Sequence, residues 1–353
     1  MAIGFPVKAD YVTGDVLTAA NMNDLSGTLN TIQSVEYAAG KNKVINGDFN
    51  VWQRGTTFTN PAGDSYTADR FMIDYGTAAP TSNSVTRQTF TPGTAPVAGY
   101  EGVFFFRSTL TTVGTTSRLS IHHKIENVQT YAGQTVTLSF FAKADSARSL
   151  GGFIQQNFGS GGSTTVSTAI TSQSITTAWT RFSMQVAVPS ISGKTIGTSS
   201  FLNIRLDQAV AAGSVLELWG VQLEQSSTAS DFQTATGTLQ GELAACQRYY
   251  WRSTGTNAYT IQGYGMGIST TQVSATVNLP VQMRTTPSSV DYASLAVYRT
   301  SKIAGISAVS ITSSSNTNIA EVTYTTSSTV ADTFYRIAND NSASGYIGFS
   351  AEL

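Results

Sequence analysis

Apolar and polar residues alternate along most of this chain. In segment 135–140, Val136, Leu138 and Phe140 alternate with threonine and serine, and segments 182–188, 202–206 and 273–279 repeat the pattern. Alternation of this kind places the apolar side chains on one face of a β-strand. Turn-forming clusters separate the segments, and between residues 41 and 235 no helical spacing interrupts them. The pattern therefore predicts a mainly β protein built from sandwiches or jelly rolls.

The first 40 residues have a different spacing. Met22, Leu25, Leu29 and Ile32 follow one another at intervals of three and four residues, after Thr18, which can cap a helix. Two interpretations stay open for this segment. It forms a helix packed on its own chain, or a short parallel seam between the subunits of a homotrimer. Two heptads are too short to hold a trimer without other contacts.

A second helical spacing occurs near the middle of the chain. Leu239, Leu243 and Cys246 lie three and four residues apart between Gly237 and Tyr250. We expect a short helix whose apolar side, with Cys246, packs on the sandwich. The predicted organisation is an N-terminal segment (1–40), a central jelly-roll sandwich (41–235), a helical connector (236–250) and a smaller C-terminal β-sandwich (251–353).

The composition restricts the possible functions. Charged residues make up 12% of the chain, against about 25% in ordinary globular domains, and Thr, Ser, Gly, Asn and Gln replace them. This composition is typical of extracellular or virion β-proteins. The net charge is −1, and scattered Lys and Arg give no electrostatic footprint for nucleic acid. The chain contains no apolar run of about 18 residues, so we expect no membrane span.

Residues for catalysis are scarce. The only histidines, His122 and His123, are neighbours on a predicted strand and point to opposite faces, which argues against their binding one metal ion together. We expect His123 to pack in the core and His122 to share a solvated face with Lys124. No local pattern provides a nucleophile with a base, or a pair of carboxylates for glycoside cleavage. The sequence therefore predicts no enzyme and no catalytic residues.

A set of short motifs resembles one found in bacteriophage tail-fibre and virion-fibre proteins, which carry a jelly-roll domain similar to carbohydrate-binding modules. The motifs are Asn46-Gly47-Asp48-Phe49, Trp52-Gln53-Arg54-Gly55, Tyr66-Thr67-Ala68-Asp69-Arg70, Val221-Gln222-Leu223-Glu224 and Cys246-Gln247-Arg248-Tyr249-Tyr250. The last six residues, 348–353, resemble a common fibre ending. We interpret segments 43–55 and 216–225 as the first and last strands of the central sandwich.

The resemblance implies a location and partners. It implies a virion fibre on the tail or capsid, assembled in the host cytoplasm. In such a fibre residues 1–40, with Met22, Leu25, Leu29 and Ile32, contact other virion proteins or other subunits. The expected state is a homotrimer, and the expected ligand is bacterial cell-surface polysaccharide. Two alternatives remain: a structural head or tail decoration without receptor binding, and an envelope depolymerase or esterase.

The resemblance also raises the question of calcium. Jelly rolls similar to carbohydrate-binding modules often hold a structural Ca²⁺ near the first and last strands. Asp48 is present at the first position, but Trp219-Gly220-Val221 stands where those modules commonly have consecutive aspartates. We therefore expect no metal and no cofactor.

Candidate ligand residues are aromatic. The C-terminal region is rich in tyrosine, and a tyrosine combines an apolar ring with a hydrogen-bonding tip. Sugar recognition combines such rings with polar groups, so Trp251, Tyr264, Tyr298 and Tyr335 are the candidate ligand-binding residues. The alternative, that these rings fill the β-core or lie between subunits, stays open. We expect the other tryptophans, at positions 52, 179 and 219, to belong to the core.

Overall fold

The computed structural model describes residues 40–97, 100–115, 118–208 and 211–353. These residues form two β-sandwiches and a short helix between them. The prediction of a mainly β chain is confirmed. The predicted helical seam of Met22, Leu25, Leu29 and Ile32 lies outside the described residues.

The first sandwich contains thirteen of the described strands. They are β1 (Thr57–Thr59), β2 (Ser65–Tyr66), β3 (Phe71–Tyr75), β4 (Ser82–Thr89), β5 (Phe104–Thr112), β6 (Leu119–Glu126), β7 (Thr135–Ala144), β8 (Arg148–Asn157), β9 (Val166–Ala169), β10 (Gln173–Ile175), β11 (Thr180–Ala187), β12 (Phe201–Gln208) and β13 (Ser214–Glu224). One sheet has the order β1-β4-β5-β13-β7-β11. The other has the order β10-β8-β12-β6-β3-β2, with β9 paired to β8. All described pairings are antiparallel, and successive strands change sheets repeatedly, as in a jelly roll.

Alternation along the strands creates the core between these two sheets. Leu138 and Phe140 of β7 and Leu216 and Leu218 of β13 are buried in one cluster with apolar residues of the opposite sheet. Burial of large apolar side chains of this kind contributes about 1.5–3 kcal/mol each. The core therefore fixes which side of each strand faces outward, and with it the residues available for binding.

The chain continues through one helix into the second sandwich. The helix α1 (Leu239–Gln247) is followed by β14 (Tyr250–Thr254), β15 (Ile261–Gly267), β16 (Gln272–Asn278), β17 (Ser289–Ala293), β18 (Leu295–Tyr298), β19 (Lys302–Gly305), β20 (Ala308–Ile311), β21 (Ile319–Thr325), β22 (Phe334–Asn339) and β23 (Tyr346–Ser350). A small sheet, β14-β23-β17, packs on a seven-stranded sheet, β19-β18-β22-β15-β16-β21-β20. Their common core contains Val322, Ile337 and Phe349.

The segment predicted as the first strand is not a strand. Residues 43–55 form turns, because Asn46 (φ 61°) and Phe49 (φ 55°) have left-handed backbone conformations. Gly47 lies so close to β13 that a Cβ atom there would collide with the carbonyl oxygen of Val221. The Gly47 carbonyl instead accepts a hydrogen bond from the Val221 N–H at 2.9 Å. The motif is thus a buried turn that seals one edge of the core. The predicted last strand, by contrast, is present as β13.

The helix α1 lies within segment 236–250, where a short helix was expected, but it turns a different side inward. Leu239 and Leu243 are 59% and 37% exposed, whereas Glu242 and Cys246 are buried. Glu242 replaces the expected leucines because its Oε2 accepts from the Asn46 N–H and its Oε1 from the Thr236 N–H, both at 2.7 Å. The burial of Cys246 agrees with the prediction.

Three of the five motifs meet the end of the second sandwich where the two sandwiches join. Arg70 contacts the Glu352 carboxylate, and Arg54 lies 3.3 Å from the same group. Gln53 donates from its backbone to Asp69 at 3.0 Å and from its side chain to the Tyr250 carbonyl at 2.6 Å. We call Gln53, Arg54, Asp69, Arg70 and Glu352 the junction network.

Aromatic rings and the end of the chain complete the joint. The guanidinium groups of Arg54 and Arg70 lie 3.5 Å from the ring centroids of Tyr250 and Tyr249. Lys124 donates to the Leu353 carbonyl at 2.6 Å. Residues of these motifs therefore supply contacts between the two sandwiches.

Candidate functional site

A row of charged side chains crosses the outer face of the six-stranded sheet. Glu217 of β13 lies in register with Arg107 of β5 and Lys143 of β7. The Arg107 Nε donates to Glu217 Oε1 at 2.8 Å, and the Lys143 Nζ lies 3.0 Å from Oε2. The glutamate is almost fully buried, whereas about a third of each cationic side chain is exposed. The buried carboxylate thus fixes two partly exposed cations in position.

This row lines an open cleft of about 260 Å³. Its other lining residues include Thr109, Asp145 and Val215. Asp145 accepts from the Val215 N–H at 2.8 Å and from two nitrogens of Arg148, each at 2.7 Å. Mainly because of the Arg148 hydrogen bonds, the pKa of Asp145 is well below its usual value. The cleft therefore presents fixed charges of both signs.

An aromatic ring stands beside the cleft. Trp179, half-buried, precedes β11, and its ring centroid lies 5.4 Å from those of Phe90 and Phe105. The Lys143 Nζ lies 5.9 Å from the same indole ring. The two phenylalanines are buried, so they hold the indole while part of it stays open to solvent.

A second apolar cluster covers the middle of this outer face. Trp219 and Phe141 project from β13 and β7 away from the main core, and Phe232 from the loop after β13 packs on Trp219. The backbone of Gly102 also lies close to this indole, since a Cβ atom at Gly102 would lie 3.0 Å from the Trp219 ring. Loops therefore close the centre of the sheet face and leave its sides accessible.

On the other side of this cluster lies a second hollow of about 440 Å³. Its lining is mostly hydroxyl and amide groups, with Arg181 as its only charged side chain; the set is Thr137, Arg181, Ser183, Met184, Gln185, Ser227, Thr228 and Ala229. Arg181 pairs in register with Phe141, so it shares the outer face. We call the two hollows with Trp179 the cleft face.

The chemistry of the cleft face suits recognition of hydroxyl-rich ligands. Carboxylate, guanidinium, ammonium and hydroxyl groups donate and accept hydrogen bonds, and an exposed indole can stack on an apolar ring face. A general acid for glycoside cleavage needs a raised pKa, whereas that of Asp145 is lowered.

Both histidines are held away from such chemistry. His123 is buried, with its Nε2 3.1 Å from the Ile45 carbonyl, as expected from the sequence. His122 does not lie on a solvated face: it is 8% exposed, and its Nδ1 contacts the Asn203 amide at 3.0 Å. Burial lowers the pKa of His122 to about 4 and that of His123 to about 3.

The surroundings of Asp48 do not fit calcium. Its Oδ2 accepts from the Asn50 amide at 2.6 Å and from the Tyr100 hydroxyl at 3.1 Å, and burial raises its pKa. Calcium needs six to eight oxygen ligands, several of them carboxylates. In the described part of the chain, no three His, Cys, Asp or Glu side chains are grouped to hold an ion.

The four aromatic residues predicted as ligand contacts have different surroundings. Tyr335 and Tyr298 are 1% and 4% exposed, and their hydroxyls bond to the Val330 N–H and the Asn339 carbonyl. Trp251 stacks on Phe349 at 6.1 Å. Tyr264 is 52% exposed. Only Tyr264 of the four therefore has an open ring, because the sandwich core and its border take up the others.

Comparison with known proteins extends to the fold only. No protein-family model and no curated protein matches the chain. A CBM4 carbohydrate-binding module is similar in structure, with 17% identity over 52% of this chain and 99% of the other and a TM-score of 0.33. The C-terminal family 22 carbohydrate binding module of Clostridium thermocellum Xyn10B is also similar in structure. It has 15% identity over 50% of this chain and 97% of the other, with a TM-score of 0.32.

A viral protein is also among the similar structures. The enzymatically active domain of tailspike protein 4 of bacteriophage CBA120 has 14% identity over 53% of this chain and 22% of the other, with a TM-score of 0.34. These likenesses concern the type of β-sandwich and identify no ligand for this chain.

Sequence reasoning missed the main residues of the cleft face. Arg107, Lys143 and Glu217 come from three strands that are distant in sequence and become neighbours only through the sheet order. Trp179 was assigned to the core because alternation cannot tell whether the outer face of a sheet is covered. A weak signal was present, since Glu217 and Lys143 are charged residues within strands that are mostly apolar. Among the described residues, no helix is long and apolar enough to cross a membrane.

Proposed function

We propose that this chain is a non-catalytic, polysaccharide-binding protein of a phage fibre, and that the cleft face is its binding surface. The observation that carries the proposal is that half-buried Trp179 lies beside Lys143. The buried carboxylate of Glu217 holds the Lys143 ammonium group in position. An indole beside fixed hydrogen-bonding groups matches the alternation of apolar and hydroxyl-bearing faces on a sugar ring.

The proposed setting is a virion. The motif resemblance supports it, and the low charge content fits an exposed virion protein. The cleft face is open and shallow, so each site binds weakly. Several copies on one particle then act together, because linked weak sites gain avidity without new contacts. We propose a homotrimer whose residues 1–40 contact other virion proteins.

The test is a titration of purified full-length protein with short oligosaccharides from host envelope polysaccharide. A short ligand occupies one site, so avidity does not enter. Trp179→Ala should reduce affinity at least about tenfold, the loss expected when a stacking anchor is removed. Phe153→Ala is the matched control, because Phe153 is a half-buried aromatic residue on the opposite sheet, beneath Arg205.

The outcomes separate the alternatives. Equal affinity of Trp179→Ala and the parent protein would move the site away from the cleft face. No binding of any envelope fragment by folded protein would favour the structural role. Release of reducing ends or acetate from the polysaccharide would establish an enzyme instead.

The structural role has one observation in its favour. Residues of two motifs that resemble those of fibre proteins, Gln53-Arg54 and Asp69-Arg70, belong to the junction network, where they join the two sandwiches. A spacer would need this rigid joint even without a receptor. In that case the protein would leave host cells unlabelled, whereas its loss would alter the assembly of the particle.

A further inference from the structure

A ridge of apolar side chains stands on the outer face of the second sandwich. Ile261, Tyr264, Met266 and Ile268 follow one another along β15 and just beyond it, and each is 46–52% exposed. Phe334 of β22, paired in register with Met266, is 63% exposed and stacks on Tyr264 at 5.6 Å. We call these five residues the β15 ridge.

The strand geometry explains why all five point outward. Tyr264 and Met266 are two residues apart, so they share a face, and the intervening Gly265 is buried. A register shift between Ile261 and Gly263 adds one residue, which brings Ile261 to the same face as Tyr264. The ridge is therefore continuous and runs for roughly 20 Å, at about 3.3 Å per residue.

Exposed apolar side chains are concentrated here. The described residues include twelve large apolar side chains that are substantially exposed, and five of them form the β15 ridge. The first sandwich has only Val103 and Ile196 among the twelve. Five large side chains exposed by about half present on the order of 400 Å² of apolar surface. Contiguous patches of that size mark interaction sites.

The chemistry of the ridge indicates a protein partner rather than a sugar. Isoleucine and methionine side chains offer dispersion contacts but no hydrogen bonds, whereas a sugar needs both. The charged residues around the ridge are Arg336 of β22, Asp332 just before that strand, whose N–H donates to the Gly267 carbonyl at 2.9 Å, and Glu321, two strands away. Because the charges are few and of opposite sign, a second copy of the same face meets no repulsive field.

We propose that the β15 ridge is a surface through which copies of this chain associate with one another. A stable interface covers about 800 Å² per partner, of which somewhat more than half is apolar. The ridge supplies the apolar half. Ser274 and Thr323, in register with Met266 across the neighbouring strands, begin a hydroxyl-rich border that supplies polar surface.

This association goes beyond the proposed sugar binding and does not depend on it. The ridge belongs to the second sandwich, whereas the cleft face belongs to the first. Binding of a short oligosaccharide is measured on single sites, and association is measured without ligand. Failure of one proposal therefore leaves the other to be decided by its own measurement.

The test is sedimentation velocity of the full-length protein over a wide range of concentrations. The parent protein should form oligomers, and the double variant Met266→Lys/Phe334→Lys should raise the dissociation constant at least about tenfold, because it places charges in an apolar contact. The control, Val103→Lys/Ile196→Lys, adds the same charges at exposed apolar positions of the first sandwich and should leave the dissociation constant unchanged.

Calorimetry of each variant verifies the fold. If the double lysine variant does not fold, Phe334→Ser replaces it, since that ring is mostly exposed, and a smaller rise in the dissociation constant is expected. A parent protein that is monomeric at every concentration overturns the proposal. A folded ridge variant that keeps the dissociation constant of the parent protein also overturns it. This includes a variant whose oligomer is held by residues 1–40 alone and a variant that loses only polysaccharide binding.

Discussion

Burial, rather than a charged neighbour, sets the pKa of each of the two histidines. Desolvation is the main cause of the low pKa of His122 and of His123, and Arg70 adds to it for His123. A buried imidazole resists protonation because its charged form loses hydration. Both rings are therefore neutral structural groups at neutral pH, not acids or bases that titrate near pH 7.

This predicts how both imidazoles respond to acid. Between pH 8 and 5 neither ring should titrate in the folded protein, whereas the unfolded chain takes up protons near pH 6.5. Stability is therefore lost as the pH falls below about 6.5, on the order of 2 kcal/mol per ring at pH 5. NMR titration of the ring protons checks the first part, and a midpoint near 6.5 would contradict it.

Urea unfolding checks the second part. His123→Gln should lose less stability between pH 7 and pH 5 than the parent protein does, because its side chain does not titrate. Asp69 works in the opposite direction, since burial raises its pKa to about 6 and the folded state binds a proton before the unfolded state does. The comparison of variant with parent removes that shared contribution.

At the scale of single elements, α1 shows that the side of a helix that packs inward need not be its apolar side. Its one fully buried carboxylate, Glu242, satisfies backbone N–H groups of two loops, and Thr238 caps the helix by accepting from the Gly241 N–H at 3.0 Å. The leucines on the same helix face solvent. The helix is thus placed by hydrogen bonds at least as much as by apolar burial.

The corresponding prediction reverses the usual ranking of substitutions. Glu242→Ala should lower the free energy of unfolding by about 2–4 kcal/mol, because it leaves the Asn46 and Thr236 N–H groups buried without partners. Leu239→Ala, on the same helix and mostly exposed, should change it by less than about 0.5 kcal/mol. Urea unfolding measures both. A larger effect for the leucine would show that the apolar side of α1 is the one that packs.

Strand prediction succeeded where one face is buried and the other exposed. The alternating segments 202–206 and 273–279 predict strands, and they correspond to β12 and β16 because their alternation reflects a real inside and outside. Segment 43–55 alternates too, but the Asn46-Gly47 pair adopts a tight turn whose side chains are buried by loops. Segment 290–298 is not one continuous strand. Ser294, whose φ is 48°, has a left-handed backbone conformation and separates β17 from β18.

At the scale of the whole molecule, the junction network decides whether the sandwiches behave as one body. Arg70 is 1% exposed, and its charge is balanced by Glu352, which is 282 residues away in sequence. Removing one member of a buried ion pair is far more costly than removing a surface pair. The two sandwiches should therefore unfold together while the pair is intact.

Glu352→Ala tests this coupling. It should lower the stability by about 3–5 kcal/mol, since it leaves Arg70 buried and unpaired, and separate one calorimetric transition into two. Asp340→Ala serves as the control, because Asp340 pairs with the largely exposed Lys302 and its loss should leave the single transition intact. A single, unshifted transition in Glu352→Ala would mean that the sandwiches are coupled by other contacts.

The reach of the junction network in sequence also has a consequence in time. Arg70 of this network pairs with Glu352, and outside the network Asn46 pairs with Glu242, so on a ribosome the early residues are made long before their partners exist. Contacts between such distant residues slow folding. Those that form after the transition state chiefly slow unfolding. A fold that depends on partners made so much later in the chain thus forms late, and once complete it unfolds slowly.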